Sequence, residues 1–265
     1  MKHVVLVLGL AMLLGSCSVA DIKKEKPPAM AQGRATPAAA ELAITDPYPL
    51  GGALYDKWWL VAKLPAPQGD HPLWASRPDM ESNKRSGTTT FRCKECHGWD
   101  YRGAEGAYGS GSHHTGFPGI LGATTKSAAE LRAVIKDGHG YGELGLADKH
   151  IDALVAFVQR GTLDTTQLID EKKAFRAAPA SGQALFEGKL GTNLSCATCH
   201  GKDGLKAPKG YPDFDDFPGM LSRKNPWELV HKIRFGQPGT KMPRSPALSH
   251  ADLRAIGAYI QTIGK

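Results

Sequence analysis

The chain of 265 residues carries 33 lysines and arginines against 26 aspartates and glutamates, which gives a formal net charge of +7. Apolar residues make up 41% and charged residues 22%, close to ordinary globular usage, so wholesale disorder, a collagen-like repeat and a polytopic membrane protein are excluded. At roughly 100 to 200 residues per domain, the length predicts one large domain or two small ones.

The chain begins with the features of an export signal. Lys2 supplies a positive charge, residues 4–14 form an apolar run, and small residues follow it. This run is shorter than the roughly 20 residues that a membrane-spanning helix needs. We therefore expect residues 1–16 to be a signal peptide and the mature protein to leave the cytoplasm.

Cys17 follows residues 14–16 (Leu-Gly-Ser), and this segment resembles a bacterial lipobox. The resemblance implies that the signal is cut before Cys17 and that this cysteine carries the lipid. The alternative is an ordinary cleaved signal with an incidental cysteine. Because Ser18 rather than an aspartate follows, the outer membrane is favoured over the inner one. Residues 17–46, rich in Pro, Ala and Lys, are then a lipid-anchored flexible tether.

An aromatic-rich N-terminal extension is predicted over residues 47–86. Its aromatic residues are Tyr48, Tyr55, Trp58, Trp59 and Trp74. We expect this extension to pack over the domain that follows it. The alternative is that its aromatic side chains form a docking face for a partner protein.

Four of the five cysteines form two Cys-x-x-Cys-His motifs, at residues 93–97 and 196–200. This pattern is the signature of c-type haem attachment, because two thiols at this spacing can form thioethers with the two vinyl groups of one haem. The thioether-forming residues would be Cys93, Cys96, Cys196 and Cys199. The adjacent His97 and His200 would ligate the iron of two covalently bound haem c groups. A disulfide framework, thioredoxin-like redox chemistry and a zinc site are the alternatives.

The two motifs belong to a longer internal repeat. They lie 103 residues apart, and residues 117–121 (Phe-Pro-Gly-Ile-Leu) recur as residues 217–221 (Phe-Pro-Gly-Met-Leu). Two further pairs of segments recur in the same order at similar offsets: residues 131–138 with 229–236, and residues 153–158 with 255–260. Four matches in the same order indicate that the chain arose by duplication.

Each repeat ends in a predicted amphipathic helix. Apolar residues recur at positions i, i+3 and i+4, which places them on one helix face. These residues are Leu154, Phe157 and Val158 in the first repeat and Ile256, Tyr259 and Ile260 in the second. Ser249 is the predicted N-cap of the last helix. Further helices are expected over residues 127–135 and 227–234, and no segment indicates a β-strand.

Each repeat resembles a class I cytochrome c domain, and the pair resembles the periplasmic dihaem cytochromes c. In the second repeat, residues 182–186 (Gly-Gln-Ala-Leu-Phe) and 241–243 (Lys-Met-Pro) add to the resemblance. It implies an all-α fold of two tandem cytochrome c-like helical domains, each around a covalently bound haem. The predicted domains are residues 87–160 and 178–265, joined by a linker at residues 161–177.

The resemblance also implies a sixth iron ligand for each haem. Met242 lies on the loop where the family carries its distal methionine, and His/Met ligation raises the reduction potential. The other methionines of the mature chain are Met30 in the tether, Met80 outside the repeat, and Met220, which we expect in the core.

The first repeat has no methionine in the corresponding loop, where His139 is the nearest available ligand. A bis-histidine site of His97 and His139 would have a lower potential than a His/Met site. His113 and His114 are rival ligands, and an open or water-bound iron is a third alternative.

These features predict a periplasmic dihaem cytochrome c that transfers electrons between redox partners, alone or within a larger complex. The basic mature chain favours partners with acidic docking faces, and no nucleic-acid-binding motif is present. One alternative is a dihaem oxidoreductase, thiosulfate dehydrogenase-like or peroxidase-like, with catalysis at the first haem. Another is a sensor or assembly protein. No separate catalytic residues are expected for an electron carrier.

Overall fold

The computed structural model describes residues 46–189, 194–208 and 217–264. All of them belong to one compact unit that extends from Arg34 to Lys265. Within these residues the structure is helical and forms no β-strand, which confirms the predicted all-α class; isolated bridges pair Gly103 with Pro118 and Ile169 with Phe175. The predicted signal peptide, Cys17 and almost all of the tether, including Met30, lie outside the described residues.

The described residues include α-helices α1 Tyr48–Ala62, α2 Cys93–His97, α3 Ala128–Ala133, α4 Asp148–Ala156, α5 Ala180–Phe186, α6 Cys196–His200, α7 Pro218–Lys224, α8 Pro226–Phe235 and α9 His250–Ile260. Helices α3 and α4 continue into single π-helical turns, Val134–Gly138 and Phe157–Gly161. Short 3-10 turns span Pro72–Ser76, Gly87–Phe91, Gly111–His113, Leu121–Ala123 and Thr165–Gln167. None of the described helices is long and apolar enough to cross a membrane.

Capping boxes begin two of the predicted helices. The Ser249 hydroxyl accepts a hydrogen bond from the backbone N–H of Asp252, whose carboxylate accepts one from the backbone N–H of Ser249. Ser127 and Glu130 form the same reciprocal pair at the start of α3. The predicted N-cap at Ser249 is therefore confirmed, and so are the predicted apolar faces, since Leu154, Phe157 and Ile256 are buried.

The two repeats share one helix crossing. In the first, α1 crosses α4 where Gly51 meets the backbone of Ala153; in the second, α5 crosses α9 where Gly182 meets the backbone of Ala255. A Cβ atom on either glycine would collide with the facing carbonyl oxygen. Helix α1 therefore has the place in the first repeat that α5 has in the second. We call residues 46–161 the first half and residues 162–264 the second half.

Helix α1 lies within the segment that the sequence predicts as an N-terminal extension. Gly51 and Gly182 are 131 residues apart, whereas the two Cys-x-x-Cys-His motifs are 103 apart, so 28 additional residues separate α1 from α2. These residues move α1 out of register with the repeat. The aromatic side chains of the segment pack inward, with Trp58 2% and Trp74 4% exposed. The alternative of an aromatic docking face is therefore wrong.

The two halves pack against each other around one apolar core. Its members come from both halves: Tyr55, Tyr101, Phe157, Phe186, Leu229 and Phe235. The predicted linker contributes to it as well, because Leu168 and Phe175 are buried there. Helix α8 of the second half lies directly on α1 of the first. This packing brings the chain that follows the first Cys-x-x-Cys-His motif close to the second half.

Candidate haem sites

The first Cys-x-x-Cys-His motif is the one-turn helix α2, which ends at Gly98 with φ 76°. Cys93 and Cys96 lie three residues apart on this turn, so their thiols share one face. Both are free and half-buried, and burial raises the pKa of Cys93 to about 11 and that of Cys96 to about 12. Thioredoxin-like motifs need a lowered thiol pKa. The environment of these thiols therefore opposes that alternative.

His97 has the side-chain orientation that an iron ligand needs. Its Nδ1 donates a hydrogen bond of 2.7 Å to the carbonyl oxygen of Pro118, which belongs to the repeated Phe-Pro-Gly segment. Because a carbonyl only accepts, Nδ1 carries the proton and Nε2 keeps a free lone pair. Burial lowers the pKa of His97 to about 4, so its imidazole is neutral near pH 7.

His139 follows the π-helical turn Val134–Gly138 and faces His97. Its Nδ1 donates a hydrogen bond of 2.8 Å to the carbonyl oxygen of Val134, which again leaves Nε2 with its lone pair. The ring centroids of His97 and His139 are 6.2 Å apart. Metal–imidazole bonds are roughly 2 Å long, so two imidazoles on opposite sides of one metal have centroids about 6 Å apart. The observed separation fits an iron between the two rings.

The rival ligand His113 contacts a buried carboxylate instead. Its Nδ1 lies 3.3 Å from Oε1 of Glu95, and its Nε2 lies 2.9 Å from the guanidinium of Arg85. Burial acts to raise the pKa of Glu95, but the hydrogen bond with His113 and the charges of Lys94 and Arg85 lower it to about 2. Both ring nitrogens of His113 are therefore engaged in this charged network.

His114 is engaged in a similar way. Its Nδ1 donates to the carbonyl oxygen of Tyr108 at 3.0 Å, and its Nε2 lies 3.5 Å from the carboxylate of Asp79. These contacts fix the loop that covers the attachment helix. The geometry of the first site thus favours His139 over both rivals.

Two further residues beside His139 are absent from the sequence-based prediction. Tyr141 lies nearly parallel to the His139 ring, at 13° and 6.3 Å between centroids, and its hydroxyl donates to the carbonyl oxygen of Phe91 at 3.1 Å. His71 is 7% exposed and packs on Tyr141 and Phe91. It lies in the 28 additional residues, where neither repeat nor motif could indicate it. Together these rings keep water from one side of the site.

The second motif, α6, has the same local structure as the first. Helix α6 ends at Gly201 with φ 75°, and the side chain of Asp203 lies beside this glycine as that of Asp100 lies beside Gly98. Burial raises the pKa of Cys196 to about 11 and lowers the pKa of His200. Among the described residues, no group of three His, Cys, Asp or Glu side chains is placed so that it could hold a metal ion.

Met242 lies on the loop between α8 and α9 and is half-buried. Its backbone N–H donates to Oγ1 of Thr240 at 3.0 Å, and its carbonyl oxygen packs against Gly236 at the end of α8. Met80 and Met220 are 45% and 40% exposed. The prediction that Met220 belongs to the core is therefore wrong: it points outward from α7, whose buried face is formed by its neighbours Gly219 and Leu221.

The second half matches a known protein family. A family model described as "Cytochrome C oxidase, cbb3-type, subunit III" matches residues 177–260, from the residues before α5 to the end of α9. Residues 177–260 are therefore similar to a cytochrome c domain. This match supports a c-type cytochrome with covalently bound haem c and a general role in haem-based electron transfer. The matched segment contains Cys196, Cys199, His200 and Met242.

Proposed function

We propose that the protein is a dihaem c-type cytochrome that carries electrons between redox partners, alone or as a subunit of a larger complex. The observation that carries this proposal is the facing pair His97 and His139, with ring centroids 6.2 Å apart. Outside the matched cytochrome c domain, this pair supports a second haem, held by the first half.

In the first half, Cys93 and Cys96 would hold the haem by thioether bonds, with His97 and His139 as iron ligands. Both imidazoles are oriented by hydrogen bonds to backbone carbonyl oxygens, those of Pro118 and Val134. Hydrogen bonds of this kind, made by the ring nitrogen that does not bind the metal, fix the tautomer and the ring orientation of a histidine ligand. The aromatic side chains beside His139 exclude water, which stabilises the site without opening it to substrate.

In the second half, Cys196 and Cys199 would hold the haem, with His200 and Met242 as ligands. A bound haem supplies reversible one-electron chemistry of its iron. Since His/Met ligation raises the potential relative to bis-histidine ligation, the second haem would be the more oxidising. Electrons would then pass from the first half to the second and on to an acceptor.

The dihaem oxidoreductase remains the alternative to an electron carrier. Catalysis at the first haem needs an iron with an open or displaceable ligand position. His139 is anchored by its own side chain to Val134 and is backed by the ring of Tyr141. This arrangement favours a permanently ligated iron, and therefore the carrier.

We further propose that the mature protein faces the periplasm and is anchored to a bacterial membrane, preferably the outer one, through lipidated Cys17. Partners would be redox proteins with acidic docking faces, because the mature chain stays basic: the full chain carries a formal charge of +7, and Lys2 is the one charged residue in the predicted signal peptide. The sequence combines a signal-like N-terminus with two Cys-x-x-Cys-His motifs, and this combination supports export.

Haem counting tests this proposal most simply. The protein is expressed with the signal and a haem-attachment system, and haem is quantified as its pyridine complex against protein concentration. We expect two haems in the parent and one in each of two variants, Cys93→Ala with Cys96→Ala and Cys196→Ala with Cys199→Ala. A single haem in the parent, lost only with the second pair of cysteines, would overturn the dihaem proposal.

A further inference from the structure

The chain that follows His97 reaches directly into the second half. The hydroxyl of Tyr101 donates a hydrogen bond of 2.8 Å to Nδ1 of His231 on α8, and the centroid of the Trp99 ring lies 4.7 Å from that of His231. Each of these three side chains is 1% exposed. Trp99 lies two residues after the proposed iron ligand His97. It thus makes a buried contact with the second half.

His231 is fixed in this contact as a neutral ring. Its Nε2 lies 2.9 Å from the carbonyl oxygen of Gly52 in α1. Because the carbonyl only accepts, Nε2 carries the proton and Nδ1 accepts from Tyr101. Burial lowers the pKa of His231 to about 3, which keeps the ring uncharged. Both ring nitrogens are satisfied, so the imidazole holds one orientation between the halves.

The repeat shows that this contact is peculiar to the first half. With the two motifs aligned at their offset of 103, Trp99 corresponds to Lys202 and Tyr101 to Gly204. Gly204 has φ 71° and Tyr101 has φ 64°. This left-handed conformation suits glycine and strains a bulky side chain. Tyr101 therefore holds a left-handed backbone conformation at a position where the second half has glycine.

The packing extends from His231 along α8 to the loop that carries Met242, the proposed ligand of the second iron. Helix α8 carries His231 and ends at Phe235. The carbonyl oxygen of Arg234 accepts a hydrogen bond of 3.0 Å from the backbone N–H of Ser245, in the same loop as Met242. The carbonyl of Met242 itself packs against Gly236. A continuous series of packed groups thus joins the segment after His97 to the loop of Met242.

Charges around Trp99 limit how its ring can take part. The side-chain charges of Arg92, Lys94 and Lys232 each lie 5.7 Å from its ring centroid. Cations at this distance stabilise the neutral, electron-rich ring and oppose removal of an electron from it. Trp99 therefore takes part in the contact between the two halves as a neutral ring.

We infer that Trp99 and Tyr101, seated on His231, form the coupling contact through which electrons pass between the two haem-binding halves. The inference rests on the proposed dihaem function. With a haem bound in each half, one electron would leave the iron of the first half, which would be oxidised, and reach the iron of the second half, which would be reduced. No bond forms or breaks in the coupling contact.

Pulse radiolysis tests this role. A substoichiometric pulse of reductant is applied to the fully oxidised holoprotein, and electron redistribution between the haems is followed by absorbance. For His231→Leu we expect electron transfer between the haems to slow measurably, with both midpoint potentials unchanged, because the substitution removes the ring that packs on Trp99 and the acceptor of the Tyr101 hydrogen bond.

Two further variants accompany His231→Leu. Tyr101→Phe keeps the ring and removes only the hydroxyl, so it is expected to fold and to slow the transfer less. Tyr48→Leu is the matched control, because Tyr48 contacts Phe235 at another point between the halves, with ring centroids 6.4 Å apart. If His231→Leu does not fold, an unchanged rate in Tyr101→Phe overturns the inference.

A measurement that does not depend on electron transfer accompanies these rates. Urea unfolding of the parent, Tyr101→Phe, His231→Leu and the double variant gives a double-mutant cycle for the contact. We expect non-additive free energies of unfolding, since the two residues share a buried hydrogen bond; additive values overturn the contact. If the parent carries two haems but the variants transfer electrons at the parent's rate, the coupling role alone is overturned. A single haem in the parent overturns the proposed function and the coupling role together.

Discussion

Gly51 in α1 packs against the carbonyl oxygen of Ala153 in α4 so closely that no side chain fits between them. Gly182 and Ala255 repeat this relationship in the second half. In each half the crossing joins the first and the last α-helix, which lie far apart in the sequence on either side of the Cys-x-x-Cys-His motif. Helix α1 is therefore part of the first half rather than an accessory to it.

Gly51→Val is expected to destabilise the first half. Its added side chain would force α1 away from α4, and overpacking of this kind costs about 1–3 kcal/mol. Urea unfolding of the holoprotein measures the change. Gly122→Ala is the control, because nothing lies within 4 Å of the position that its Cβ would take. Equal stability of Gly51→Val and the control would contradict the close crossing.

His139→Ala is expected to convert the first haem to the high-spin state and to leave the second unchanged. The imidazole of His139 is the group that faces His97, and alanine offers no ligand atom. Visible absorption and magnetic circular dichroism of the ferric protein report the spin state. His114→Ala serves as the control, because His114 contacts Tyr108 and Asp79. A high-spin signal in the control and not in His139→Ala would reverse the assignment.

Met242→Ala is expected to lower the potential of the second haem and to abolish the weak red absorption of a thioether–iron bond. Loss of the sulfur ligand removes the contribution that raises the potential. Redox titration and the ferric spectrum measure both effects. Met220→Ala is the matched control, since Met220 is 40% exposed on α7. An unchanged red absorption in Met242→Ala would remove this residue from the site.

Glu95→Gln is expected to make stability less dependent on pH in the acid range. The folded-state pKa of Glu95 is lowered from 4.5 to about 2, so its carboxylate contributes stability above pH 4.5 that is lost as the pH falls toward 2. At about 1.4 kcal/mol per pKa unit, the contribution at neutral pH is about 3 kcal/mol. The parent should therefore exceed Glu95→Gln in stability at pH 7, and the difference should shrink toward pH 2.

Urea unfolding at a series of pH values checks this expectation. The control is Glu105→Gln, because Glu105 is exposed and lies in the same loop region after the first motif. We expect its unfolding free energy to follow that of the parent at every pH. A difference between parent and Glu95→Gln that stays constant down to pH 2 would show that the carboxylate is not stabilised by its neighbours.

Local chemistry explains which parts of the fold were predictable. The N-cap at Ser249 acts within three residues of sequence, and the helix faces of Leu154 and Ile256 follow from periodicity. The crossing of Gly51 with Ala153 joins residues that are 102 apart, and the additional residues after α1 hide its likeness to α5. No short-range pattern could therefore assign α1 to the first half.

The sequence motifs propose the attachment residues of the candidate site but do not indicate its surroundings. The motifs name Cys93, Cys96 and His97 directly, but only the fold brings His139 to face His97. His231 is a single histidine on an amphipathic helix, and its contact with Tyr101 depends on how the two halves pack. Sequence alone cannot distinguish such a buried histidine from an exposed one.

The most direct test of a dihaem carrier is low-temperature electron paramagnetic resonance of the ferric holoprotein, with and without cyanide. We expect two low-spin signals of equal intensity, neither of them shifted by cyanide, because His139 and Met242 would complete the two proposed ligand sets. A high-spin signal that converts to low spin on addition of cyanide would contradict it. That result would mean an open iron and would favour the dihaem oxidoreductase.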